Sequence, residues 1–129
     1  MTRINVIPVT ELTRQHLIAE WRELPRIYAL VHKAHTSGKP WTNRQPKEYT
    51  LGTGHVLFFY DKLAWITERH KQLVSEMINR GYKPSFTDPV ENEWIAKIPS
   101  YYWKQWQPTQ DAITINMQRI NERLKNSAK

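Results

Sequence analysis

The residues best suited to chemistry are Thr2, Glu23 and two arginine pairs. A small residue after Met1 lets the initiator methionine be removed, leaving the α-amine of Thr2 as the chain terminus. Such an amine has a pKa of about 7.7–8.0 against about 10.4 for lysine, so roughly a tenth of it is neutral and nucleophilic at pH 7. It can form a Schiff base without special tuning. Glu23 follows Arg22 and lies one turn before Arg26, where a carboxylate could act as acid, base or electrostatic stabiliser. The plainer alternative is a surface helix ion pair worth about 0.3–0.5 kcal/mol. Arg22/Arg26 and Arg119/Arg123 both have i,i+4 spacing, which aims two guanidinium groups to one side of a helix and suits adjacent phosphates. Arg3 adds a fifth positive group beside the terminus. Against this stands an ordinary solvated basic surface.

Other chemistries find little support. There is no Cys, which excludes disulfide scaffolds and cysteine-based zinc sites, and the five His residues form no HExxH motif. No metal or other cofactor is expected. His70 falls within an apolar helical stripe and reads as a structural histidine. No P-loop, GxSxG or GxGxxG pattern occurs. The run Tyr101, Tyr102, Trp103 and Trp106, with Lys104 interleaved, either stacks on bases or packs a proline-rich segment.

Charge narrows the partner. The 129 residues carry a net charge of +7, and the pI near 9.8 favours a polyanion, most simply nucleic acid. The excess is +4 over residues 1–50, zero over 51–99 and +3 over 100–129, so the two ends would make one basic face if they meet. The apolar runs are short and the start lacks a signal-peptide stretch, so no membrane association and a cytoplasmic location are expected.

Three elements must position these groups. Leu17, Trp21, Leu24, Tyr28 and Val31 mark one face of a helix running from about Thr10, as N-cap, to His35, with Gly38 as its stop and a kink at Pro25. Phe59, Leu63, Ile66, Leu73 and Met77 mark a second, from about His55 to Arg80, closed by Gly81. Ile113, Met117, Ile120 and Leu124 mark a third, from about Pro108 to Asn126, with Asn116, Arg119 and Arg123 along its flank. Residues 39–54 and 82–107 read as irregular, and nothing alternates as a strand. The expected fold is all-α: one domain over residues 1–129, of three main helices with long irregular connections.

A wider pattern carries a resemblance. Met1-Thr2-Arg3-Ile4-Asn5, Gln15-His16-Leu17, Ala19-Glu20, Arg22-Glu23-Leu24-Pro25-Arg26, Leu51-Gly52, Gly54-His55-Val56 and Phe58-Phe59-Tyr60-Asp61-Lys62-Leu63 resemble the phage pyrimidine-dimer DNA glycosylases, also called endonuclease V. Arg80-Gly81 and the Arg119 to Arg123 spacing extend the likeness over roughly residues 1–125. The resemblance implies an N-terminal segment lying between helices and a cofactor-free enzyme, expected to be monomeric, acting on lesion-bearing duplex DNA. It implies that the Thr2 amine attacks C1′ of the damaged nucleotide and that Glu23 assists ring opening and β-elimination. Arg3, Arg22, Arg26, Arg119 and Arg123 would hold phosphates, with Gln15 and His16 near the active centre. The family also kinks DNA and flips a base opposite the lesion.

One departure leaves lesion preference open. The phage type ends in an aromatic-basic tail, Trp-Tyr-Lys-Tyr-Tyr-Gly, whereas this sequence ends Lys125-Asn126-Ser127-Ala128-Lys129. Tyr101, Tyr102 and Trp103 are the candidates to replace it. An abasic-site lyase, a glycosylase for another lesion and a non-catalytic DNA-binding module remain alternatives.

Overall fold

A computed structural model describes residues 4–38, 40–88 and 92–127, all helix, turn and loop without a strand among them. Among the described residues the α-helices are α1 (Arg14–Glu23), α2 (Arg26–Ser37), α3 (Leu63–Asn79), α4 (Glu93–Ala96) and α5 (Gln110–Ser127). The all-α class expected from periodicity is the one found.

The first expected helix is two. Thr13, not Thr10, caps α1, its hydroxyl accepting the His16 N–H at 3.3 Å. Pro25 ends it, because a proline has no N–H to give the carbonyl four residues back, that of Trp21. The fold supplies another donor: His70 Nε2 lies 3.2 Å from that carbonyl. Ile27 and Tyr28 then restart the ladder on Leu24 and Pro25, and Gly38, at φ 69°, closes α2.

The second helix begins later than its apolar stripe suggests. Residues 55–62 wind through turns and a 3₁₀ segment, Leu57–Phe59, before α3. Phe58 and Phe59 are both buried, entering the core from this turn rather than from α3. Gly81, at φ 88°, terminates α3, with Tyr82 N–H reaching back to Met77. The segment after it is pinned by Phe86, sandwiched between Trp21 and His70 at centroid distances of 4.6 and 5.5 Å.

In α5 the buried line is Ala112, Asn116 and Ile120, with Ile113 and Met117 half-buried beside it. The sequence reading put Asn116 on the flank; it is fully buried instead. A polar side chain can occupy a core position only if its hydrogen bonds are met there, and those of Asn116 are. Its Oδ1 accepts the N–H groups of Val6 and Ile7 at 2.7 and 3.2 Å, and its Nδ2 donates to Asn5 Oδ1 at 2.9 Å.

The N-terminal segment therefore crosses the core rather than lying on it. Ile4 and Ile7 are fully buried, in one cluster with Leu17, Leu24, Leu63, Ile66 and Leu73. Between the two isoleucines, Asn5 Nδ2 donates to Glu20 Oε1 of α1 at 2.9 Å. Arg69 of α3 answers Glu20 through Nε at 2.7 Å and Nη2 at 3.1 Å, while its Nη1 donates to the Ile7 carbonyl. Removing one member of such a pair strands a buried charge. Arg69→Met should cost about 3–5 kcal/mol in urea unfolding, and adding Glu20→Gln in the same chain should recover part of that loss.

Candidate functional site

Thr2 and Arg3 lie outside the described residues, but the backbone of Ile4, which follows them, is held on both sides. Ile4 N–H donates to His55 Nε2 at 2.8 Å, and Ile4 C=O accepts the Tyr49 hydroxyl at 3.1 Å. His55 is itself held by its Nδ1, 2.7 Å from the Thr50 carbonyl. A carbonyl can only accept, so Nδ1 carries the proton and Nε2 offers its lone pair. Gly54 makes this placement possible. It has φ 90°, and a Cβ there would come within 2.7 Å of Pro46 Cγ.

Helix α1 presents the next candidates. Gln15 and Arg22 are seven residues apart, two turns, and both are exposed; His16 and Glu23 repeat that spacing on a half-buried face. The rise of the helix puts each pair about 10 Å apart along one stripe. Glu23 Oε1 faces Arg26 Nη1 at 3.7 Å across the α1–α2 corner, beyond hydrogen-bonding distance, and the Arg26 side chain is 59 % exposed.

Helix α5 carries Arg119 and Arg123 one and two turns beyond Asn116. Arg119 is 3.8 Å from Glu122, and its buried Nε has no hydrogen-bond partner among the described residues. It lines a cavity of about 310 Å³ with Leu51, Gly52, Ile115, Gln118 and Glu122. Arg123 lies close enough to His16 to act on its titration. Burial is the larger cause holding the His16 pKa below its ordinary value, the positive Arg123 adds to it, and Glu20 opposes both. His16 Nδ1 also meets the Thr13 hydroxyl at 2.7 Å. The first turn of α1 and the latter half of α5 thus lie near one another.

A family model for pyrimidine dimer DNA glycosylase matches residues 1–89. The chain belongs to that family. The match takes in the N-terminal segment and α1 to α3, hence Gln15, His16, Arg22, Glu23 and Arg26; α5 lies beyond it. The substrate class of this glycosylase is accordingly DNA. No described helix is long and apolar enough to cross a membrane, and no three described His, Asp or Glu side chains are grouped to hold a metal.

Sequence reading of the glycosylase missed the residues that hold the candidates in place: Asn5, Glu20, Tyr49, His55, Arg69 and Asn116. A signal existed for Arg69, which stands three residues after Ile66 and four before Leu73, on a stripe otherwise apolar. Asn5, alone among Ile4, Val6 and Ile7, was another. The aromatic run, by contrast, does mostly structural work. Tyr102 is buried against Trp41, and Trp103 Nε1 donates to the Ile98 carbonyl at 2.8 Å. Of Tyr101, Tyr102 and Trp103 only Tyr101 is an exposed ring, with Lys104 Nζ 4.2 Å from its centroid.

Arg123→Gln removes the smaller of the two causes that lower the His16 pKa, so it should rise yet stay below about 6.5, read from the ring-proton shifts in an NMR titration. His70 is lowered too, chiefly by burial. Below about pH 6.5 the unfolded chain then binds more protons than the folded one, so thermal stability should fall as pH drops from there through the two folded-state pKa values.

Proposed function

We propose that residues 1–129 act as one DNA-repair domain that excises pyrimidine dimers from duplex DNA and then cleaves the strand as an abasic-site lyase. The Thr2 nitrogen, freed by loss of Met1, attacks C1′ of the damaged nucleotide. The glycosidic bond breaks, its electron pair leaves with the base, and the base takes up a proton. The attacking nitrogen gives up a proton; the C1′–O4′ bond then opens with protonation of O4′, leaving a C1′=N iminium. Loss of a C2′ proton expels the 3′ phosphate by cleavage of C3′–O3′, and water finally releases the enzyme. In this reading Glu23 protonates O4′ and accepts the C2′ proton. Arg3, Arg22, Arg26, Arg119 and Arg123 hold phosphates, with Gln15 and His16 beside the sugar.

The observation that carries this reading is the threaded N-terminal segment. Covalent geometry limits the Thr2 nitrogen to about 7 Å from the Ile4 nitrogen, and Ile4 is anchored in the core of a family member with a half-buried Glu23. A tethered amine of limited reach suits covalent catalysis better than simple binding.

Protein whose mass confirms loss of Met1 should cleave a thymine-dimer duplex and, with borohydride, be trapped on it through residue 2. Trapping on abasic-site DNA alone would favour a lyase or another lesion, and no adduct would leave a binding module. Glu23→Gln should keep DNA binding and lose at least 100-fold in strand cleavage. If the five arginines contact phosphates, log K should fall against log salt with a slope of about −4 to −5.

A further inference from the structure

We infer that His55 is a positioning residue for the terminal amine, acting through the backbone of Ile4. The inference rests on the amine chemistry proposed above and adds the part that aims it. Of the described residues, Ile4 is the nearest to Thr2 along the chain, and its N–H is taken by the His55 ring at 2.8 Å. The contact is polar and directional in a place where the surrounding packing is apolar. His55 is 2 % exposed, and the rings of Tyr49 and Phe59 meet it edge-on at 5.4 and 6.1 Å.

A phenylalanine would fill the same slot, so packing alone does not call for an imidazole. What the imidazole adds is one donor and one acceptor in a fixed relation. Nδ1–H is spent on the Thr50 carbonyl, which sets the ring plane and leaves the Nε2 lone pair facing Ile4. Gly54 admits the backbone turn that brings the ring there. Tyr49 grips the other side of the same residue, its hydroxyl on the Ile4 carbonyl. Two hydrogen bonds to one residue fix the orientation of the Ile4 backbone, two residues after the nucleophile in the sequence.

Neither His55 nor Tyr49 needs to touch DNA for this role. Loss of the Ile4 contact should therefore act on the chemical step and spare binding. A misplacement of about 1 Å is enough to slow a reaction roughly 100-fold.

The test uses full-length, Met1-free protein and two duplexes, one with an abasic site and one with a tetrahydrofuran residue that cannot form an imine. Wild-type protein should give the borohydride adduct at residue 2; its absence would overturn the amine chemistry itself. Given that adduct, His55→Phe should slow single-turnover trapping by about 10- to 100-fold and leave Kd for the tetrahydrofuran duplex within about twofold. Amide exchange at Ile4 should quicken in parallel. His55→Gln, whose carboxamide offers one acceptor and one donor, should restore most of the rate. Tyr49→Phe, which deletes only a hydroxyl, should show the same split more weakly and decides the matter if His55→Phe does not fold. Unchanged trapping in His55→Phe, or in Tyr49→Phe where the former is unfolded, would overturn the inference. So would equal losses of trapping and binding, or failure of His55→Gln to exceed His55→Phe.

Discussion

The fold is organised around one ion pair withdrawn from water. Glu20 and Arg69 are 2 % and 4 % exposed, and taking two charges out of solvent costs more than their attraction returns unless every remaining polar atom finds a partner. Here the partners come from the N-terminal segment: Asn5 donates to the carboxylate and the Ile7 carbonyl accepts from the guanidinium. The pair is thus completed only when residues 4–7 lie between α1 and α3. A slip of one residue would bring Ile4 or Val6 to the carboxylate and leave both charges short of hydrogen bonds. Apolar packing by itself would tolerate such a slip far more readily, since isoleucine and valine fill similar space. The ionic pair fixes a register for residues 4–7, and with it the position of the Ile4 N–H.

Asn116 ties that register to α5. It holds Val6, Ile7 and Asn5 from α5, and Arg119 and Arg123 follow it on the same helix. Segment and arginine-bearing helix are therefore tied by three hydrogen bonds. The Pro25 break plays a matching part at the other end of α1. By turning the chain between Glu23 and Arg26 it sets the carboxylate and the guanidinium across a corner, and the Trp21 carbonyl it leaves over is taken up by His70. Phe86 stacks between Trp21 and His70, so the loop after α3 is fastened to the same break.

What the sequence made legible follows from this construction. Apolar stripes report one face meeting a core, so Leu17, Trp21, Leu24, Tyr28 and Val31, and likewise Leu63, Ile66, Leu73 and Met77, were readable and are buried. A buried polar network leaves no period. Glu20, Arg69, Asn5 and Asn116 come from three helices and a loop, and nothing in the spacing of any one of them reveals the others. Asn116 looked like a flank residue because an isolated asparagine on a helix is ordinarily solvated. The start of α3 was misjudged for a related reason. Phe58 and Phe59 continue the apolar composition of the helix, yet they enter the core from a turn. Among the candidate site residues, composition and spacing raised Glu23 and the arginine pairs, while the family likeness supplied Gln15 and His16.

Distance separates two pairs of described arginines. Arg69 and Arg80 make contacts of 2.7 Å with Glu20 and Glu76, and each spends further N–H groups on backbone carbonyls of the first twelve residues. They are consumed in holding the N-terminal segment. Arg26 and Arg119 stand 3.7 and 3.8 Å from their acids, with side chains 59 % and 36 % exposed, at separations where attraction is screened and no hydrogen bond forms. A fold seeking only stability would have little use for these loosely partnered charges beside the Glu23 corner and along α5. Their weak internal partners cost little to leave, which suits the phosphate-holding role proposed for them.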